Sequence, residues 1–383
     1  MRRSLVVRGK RKVMVTLVVV AAVCLSAAAG VSASNTRAAG SCTATVKPKD
    51  VQVYFGVGSF SSEYWQEVLK GAKAVMASLG LKSHFHPYED NFDGQKLLNT
   101  FTSILAKGGK GVALVADPAS NAYTRPLVQL AQQSGARVVT LWNRPTEIHP
   151  WDTGGGCWVA HTAFDGVEGG IKNAQALFTA LHGKGNITAL LGIPDDPSAK
   201  QRLYGLKQEL KAFPGITLLD SQVGHWQPTE AQQITQTWVG KYGSQINGIW
   251  TANDGMATGA VEALRSNSLN GKIPVTGSDG SRDVLQLIAQ GDMLSTMAVD
   301  AYSQGAVAVA LAYAATVGDI NVSKLTHKQR DFFLKQTLVT KANVQAVLNA
   351  KFSAAKFNYT KLKKNFWYDV STGINDATWI PNV

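Results

Sequence analysis

From residue 51 onward the chain alternates short β-rich runs with helices of amphipathic spacing, and it does so twice. Residues 51–57, 81–86, 111–116 and 137–141 read as strands. Helices are expected between them at 64–79, 95–107 and 123–134. In the first helix Trp65, Val68, Leu69, Ala72 and Val75 recur on one face. The run 111–116 is apolar without alternation, as expected of a strand buried on both faces. Strands separated by helices build a parallel sheet. After residue 157 the rhythm restarts, with helices at 167–181, 200–212, 229–241, 282–290 and 304–317. Strands are expected at 187–192, 216–223, 249–251, 272–276 and 293–299. The fold class this implies is α/β, two doubly wound parallel-sheet lobes, and 383 residues are enough for two such cores.

Open α/β sheets bind ligands beyond the carboxyl ends of their strands. The stretch 247–280 shows what stands there. Asn253 and Asp254 follow one strand, where a helix N-cap belongs, and Met256, Ala260, Val261 and Leu264 then recur at helical spacing. Asp279 and Gly280 follow the next strand. Other strand ends carry Ser61, Ser62, Glu63, Tyr64 and Trp65; Asp117; Trp142, Asn143 and Arg144; Asp195, Asp196, Gln201 and Arg202; and His225 and Trp226. Singly each is ordinary: a lone Trp is usually core, and Asp254 is a natural cap. Together they suit a polyhydroxylated ring. Carboxylates and amide oxygens accept from hydroxyls, and guanidinium forks donate to them. Aromatic faces cover the C–H faces of the ring. Trp65 and Trp226, from opposite lobes, are expected to sandwich it.

Residues 1–33 hold Arg2, Arg3, Arg8, Lys10, Arg11 and Lys12 and no acid, so half of the formal charge of +12 lies there. The charge-free run 13–33 that follows completes an export signal or membrane anchor, with a cleavage site at Val31-Ser32-Ala33. Residues 34–49 read as a linker. Arg2-Arg3 is a twin arginine, though Lys10 to Lys12 separate it from the apolar run, and neither Cys24 nor Cys42 follows a good lipobox. After cleavage Cys42 and Cys157 remain. In an oxidising compartment they can pair and tie the N-terminal arm to the domain junction. The alternative leaves Cys42 free or lipidated and Cys157 buried.

In this order and spacing the motifs carry a resemblance. They are Tyr64-Trp65 followed by Gly71-Ala72; Asp117-Pro118; Trp142-Asn143-Arg144; Arg202 ahead of Gly205; Trp226; Ala252-Asn253-Asp254-Gly255-Met256-Ala257; Gly277-Ser278-Asp279-Gly280; and Thr340-Lys341-Ala342-Asn343-Val344. Over residues 50–345 the chain resembles the type I periplasmic sugar-binding proteins of ABC importers, the ribose-binding class. The resemblance implies two lobes joined by three crossovers and closing on one monosaccharide-like molecule. It implies a first lobe of 50–157 with 300–328 returning to it, and a second of 158–299 with 329–350 returning. Ligand contacts would come from Ser62, Tyr64, Trp65, Asp117, Asn143 and Arg144 in the first lobe, with Trp142 narrowing the pocket. Arg202, Trp226, Asn253 and Asp279 would serve from the second. The family usually has Asp where Asn143 stands, and Gln where Val299 stands beside Asp300 at the last hinge. The implied partner is an ABC permease, the implied state a monomer, and the place the periplasm or the outer face of the cytoplasmic membrane. No cofactor is implied.

Other classes fit less well. No phosphate loop or nucleophile elbow is present, and Gly56 and Gly58 lack the third glycine of a dinucleotide fingerprint, where Ser61 stands. Glu63, Asp117 and Asp279 would suit a glycosidase pair, but sugar-binding carboxylates look the same, so no catalytic residue is assigned. His84 and His86 read as a polar strand face rather than a metal site. A repressor of similar core needs a leading helix-turn-helix domain, where the export signal stands, and no nucleic-acid partner is expected. A signalling receptor of the same fold remains the alternative. Residues 351–383 form a basic, aromatic extension whose aromatics are expected to pack on the body.

Overall fold

The computed structural model describes residues 42–152, 154–349 and 357–371. The export signal, part of the linker and parts of the C-terminal extension lie outside these residues. In chain order the first elements are β1 (Gln52–Val57), α1 (Glu63–Ser78), β2 (Phe85–Glu89), α2 (Gly94–Leu105), β3 (Val112–Ala116), α3 (Asn121–Ser134), β4 (Arg137–Leu141) and β5 (Trp158–Phe164). Next come α4 (Gly166–Ala180), β6 (Gly185–Leu191), α5 (Pro197–Ala212), β7 (Ile216–Val223), α6 (Pro228–Tyr242), β8 (Gly248–Thr251), α7 (Asp254–Ser266), β9 (Thr276–Asp279), α8 (Arg282–Gln290) and β10 (Ser295–Val299). The chain closes with α9 (Ala301–Val317), α10 (His327–Arg330), β11 (Asp331–Leu334), β12 (Gln336–Thr340), α11 (Val344–Asn349) and α12 (Tyr359–Leu362).

The first lobe is a parallel sheet in the order β11-β5-β4-β3-β1-β2. In the second lobe β7-β6-β8 and β12-β10-β9 are joined by a parallel bridge between Ile249 and Val275, and β12 runs antiparallel at the edge. Three short crossovers join the lobes, at Asp165, Asp300 and Lys335. Two expected boundaries therefore move. Trp158–Phe164, expected in the second lobe, is wholly buried and pairs with β4 in the first. Gly154 to Gly156 resemble a domain break, but they only lead into another strand of the same sheet. Likewise Asp331–Leu334 completes the first sheet against β5 before the chain crosses back. The strand expected at 81–86 lies at Phe85–Glu89, because Lys82–His84 form a 3₁₀ turn. Pro87 is tolerated there because β2 is an edge strand.

Helix α9 is apolar on every side and buried on every side, as such a pattern requires. It crosses α1 at backbone contact. A Cβ at Gly71 would come 1.9 Å from the Tyr302 carbonyl oxygen, and one at Gly305 would come 1.8 Å from that of Val68. Only glycine allows that approach. The C-terminal run covers the same lobe: Phe357, Tyr359, Leu362 and Phe366 are buried in its core, and Val370 bridges to Leu334. Cys42 and Cys157 are joined as a disulfide with Cα atoms 5.1 Å apart. Cys157 precedes β5, so the bond lies at the amino ends of the strands.

Candidate functional site

A cavity of about 220 Å³ lies between the lobes, far more than a single water needs. Its walls come from the carboxyl ends of strands in both sheets. Ser59 and Ser61 to Trp65 follow β1, Phe92 follows β2, Asp117 follows β3 and Trp142 follows β4. From the other side come Asp196, Ser198 and Arg202 after β6, Trp226 after β7, Asn253 after β8, and Asp279, Ser281 and Asp283 at and beyond the end of β9. Non-glycine residues with left-handed backbone are uncommon, yet four of them line this cavity: Phe92 (φ 59°), Trp142 (φ 55°), Trp226 (φ 65°) and Asp279 (φ 144°). Strained backbone of this kind gathers where side chains must be aimed at a ligand.

Arg202 organises the second-lobe wall. It donates to the Ala252 carbonyl at 2.6 Å, and its other terminal nitrogen stands 3.7 Å from Asp279 Oδ1. Its guanidinium lies over Trp142 of the first lobe at 5.3 Å and over Trp226 of the second at 5.8 Å. Such stacking suits a planar cation. The Trp226 ring lies against Gly192, where a Cβ would come 2.0 Å from it. Asn253 caps α7 by accepting from Met256 N at 2.9 Å, which fixes its amide and leaves the NH₂ for the cavity. The lobes also touch directly: Glu63 accepts from the backbone N–H of Arg282 at 2.8 Å and of Asp283 at 3.2 Å, capping α8 of the other lobe.

Several expected roles change. Asn143 and Arg144 do not line the cavity. The left-handed turn at Trp142 puts the indole on the cavity and turns the next residues under it. Asn143 donates to Asp117 Oδ1 at 2.5 Å from beneath. Arg144 points away, with Nε 3.1 Å from Asp331 Oδ2 and bonds to the carbonyls of Pro145 and Ile148. The Tyr64 hydroxyl donates to Gln304 Oε1 and accepts from Trp142 Nε1, so its ring serves the cavity while its proton is committed. Trp65 packs edge-on against Tyr64 and reaches the cavity, but the indoles that meet the Arg202 guanidinium are Trp142 and Trp226, one from each lobe. Ser62 lines the wall at the start of α1. Val299 and Asp300 stand at a crossover, where Asp300 caps α9 through Ser303 N. Ser198, Ser281 and Asp283 were missed: Ser198 is carried in by the turn that Asp196 caps, and the other two by a helix start that Asp254 holds, through Ser281 N at 2.8 Å. Among the described residues no cluster of three metal-ligating side chains is present.

The carboxyls are poorly compensated. Burial, then the Asp196 carboxylate, pushes Asp117 well above the carboxylate range. Asp279 is pushed up to about 8 by burial, with Arg202 opposing. Asp254 is pushed up to about 6, also by burial first, and away from the cavity Asp90 and Asp165 rise to about 7 and about 6 for the same reason. A raised carboxyl binds its proton more tightly when folded. Its stabilisation is complete below the unfolded value near 4 and is lost as the pH rises through the folded value. The empty protein is therefore expected to gain thermal stability as the pH falls from about 8.5 to about 5.5. His161, held neutral by burial, and His86, lowered by burial too, oppose this only below about 6.5. Melting curves across this window should show wild type rising on acidification and Asp279→Asn rising less. A flat or falling wild-type profile would contradict the assignment.

Two doubly wound lobes, three crossovers and a cavity walled by strand-end side chains from both define a two-lobed binding protein. Residues 53–320 match the periplasmic binding protein domain, and the chain belongs to that family. It is similar to the xylitol-binding protein of Mycolicibacterium smegmatis, 33% identical over 34% of this chain and 38% of that protein. It is also similar to the D-allose-binding periplasmic protein of Escherichia coli, 26% identical over 66% of this chain and 80% of that one. The crystal structure of a twin-arginine translocation pathway signal protein from Burkholderia phytofirmans superposes with a TM-score of 0.79 at 35% identity, covering 85% of this chain and 98% of that one.

Proposed function

We propose that this protein captures a monosaccharide or a similar polyhydroxylated molecule by lobe closure and delivers it to an ABC permease. The observation that carries this reading is the composition of the cavity wall, with carboxylates, serine hydroxyls and indoles from one lobe facing carboxylates, amides, a guanidinium and an indole from the other. The contacts of both lobes exist together only in the closed state, so a ligand that needs both sets shifts the population toward it. Relatives named for xylitol and D-allose support a polyol or sugar. Export to the periplasm or the outer face of the cytoplasmic membrane, and action as a monomer, fit the family. Among the described residues no helix is long and apolar enough to cross a membrane. The carboxylates hold hydroxyls and do no chemistry on them.

Thermal shift over pentoses, hexoses and polyols, followed by calorimetry, tests this. One ligand per chain and an unchanged ligand after incubation are expected. No shift with any member, or turnover of a glycoside, would overturn the reading.

A further inference from the structure

The charges on the cavity wall do not balance. Glu63 and Asp117 line it from the first lobe, and Asp196, Asp254, Asp279 and Asp283 from the second; Arg202 is the single cation among the lining residues. Some of these carboxyls are satisfied by the protein. Glu63 caps α8. Asp254 accepts from Ser281 and from Thr296. Asp283 accepts from Val284 N, and Asp279 has Arg202 beside it.

Asp117 differs from all of these. Its Oδ1 accepts from Asn143 Nδ2 and from Ala119 N, while among the described residues its Oδ2 has no hydrogen-bond partner. The residue is 4% exposed and lines the cavity. No Lys or Arg lines the first-lobe wall. Arg144, the residue whose sequence position would bring a cation there, is tied to Asp331 instead. Across the cleft stands Asp196, another carboxyl, with one oxygen engaged by Ser198.

We infer that the ligand carries a positive charge, an amino group on a polyhydroxylated frame, seated against Asp117 with Asp196 facing it. This rests on the reading above that the cavity takes a polyhydroxylated molecule. A hydroxyl donates one hydrogen bond to a carboxylate but brings no charge into a buried site. A buried carboxylate without a counter-charge is costly, and it recovers that cost by taking up a proton or by pairing with a cation. The upward push on Asp117 expresses the same imbalance as affinity for a proton. An ammonium group offers the charge together with several donors, which suits a site where two carboxyls face each other.

The test uses the full exported chain and matched ligands, with calorimetry and thermal shift at neutral pH. D-glucose, D-glucosamine and N-acetyl-D-glucosamine form one set, and D-galactose with its amino and N-acetyl forms another. Xylitol, D-allose and D-ribose serve as neutral references. The amino sugar of at least one set is expected to bind about tenfold or more tightly than its hydroxyl twin and than every neutral reference. Its N-acetyl form, which keeps the nitrogen and loses the charge, should lose that gain. Asp117→Asn should bring amino and hydroxyl twins to parity. If that variant does not fold by circular dichroism, the wild-type sets decide alone. A neutral sugar or polyol that binds as tightly as the amino sugars overturns this inference and leaves the sugar reading standing. Preference for the amino form that survives in folded Asp117→Asn overturns the placement at Asp117. Silence across the whole panel overturns both.

Discussion

Arg202→Ala is expected to weaken ligand binding by about 100-fold or more, near 3 kcal/mol, with only a small loss of melting temperature in the empty protein. The guanidinium holds three parts of the site at once. It is anchored on the Ala252 carbonyl, it is the cation beside Asp279, and it lies over the indoles of Trp142 and Trp226. Removing it leaves Asp279 without its counter-charge in a buried wall and removes the cation that both rings meet. A buried acceptor that loses its mate costs more than the bond itself was worth. Arg202→Lys should recover little, because a point charge reproduces neither the fork nor the stacking. Calorimetry with the ligand found by the panel reads the effect, and unchanged affinity in both variants would sink the assignment of this cavity.

Asp331→Ala is expected to destabilise the first lobe by about 3–5 kcal/mol, the cost of leaving a buried charge unpaired. Arg144 and Asp331 stand 3.1 Å apart with side chains 1% and 0% exposed, and His149 Nδ1 lies 3.1 Å from the same carboxylate oxygen. The pair joins the loop after β4 to the strand that precedes the last crossover. Denaturant unfolding of wild type, Asp331→Ala and the double variant Asp331→Ala with Arg144→Met measures it. The double variant should recover most of the loss, since it removes the stranded charge and keeps the stem's packing. A single variant as stable as wild type would show that the pair does not matter.

Much of the site is legible from one rule. Side chains beyond the carboxyl ends of parallel strands face a shared crevice, so Asp117, Trp142, Arg202, Trp226, Asn253 and Asp279 can be placed by counting along apolar runs. The rule fails where a single backbone torsion decides. Trp142 takes a left-handed conformation that nothing in Leu-Trp-Asn-Arg announces, and that turn separates the indole from Asn143 and Arg144. It fails also for Glu63. That residue sits at a strand end like the others, yet its partner is the first turn of a helix far along the chain, and only the approach of the lobes brings the two together.

The sequence by itself determined the local order of this protein: alternating strands and helices, a buried central strand, helix caps, and polar and aromatic residues at strand ends. These depend on periodicity and on near neighbours, which are written along the chain. The tertiary structure alone decided which sheet takes Trp158–Phe164 and Asp331–Leu334, since both runs would suit either lobe and the choice rests on strand pairing, with β4 across a loop and between the two runs across more than a hundred residues. It alone decided that Arg144 belongs to Asp331 and Arg202 to the cavity. A buried cation goes to whichever carboxylate the fold brings within reach, and that depends on the path of the backbone rather than on the residues beside it.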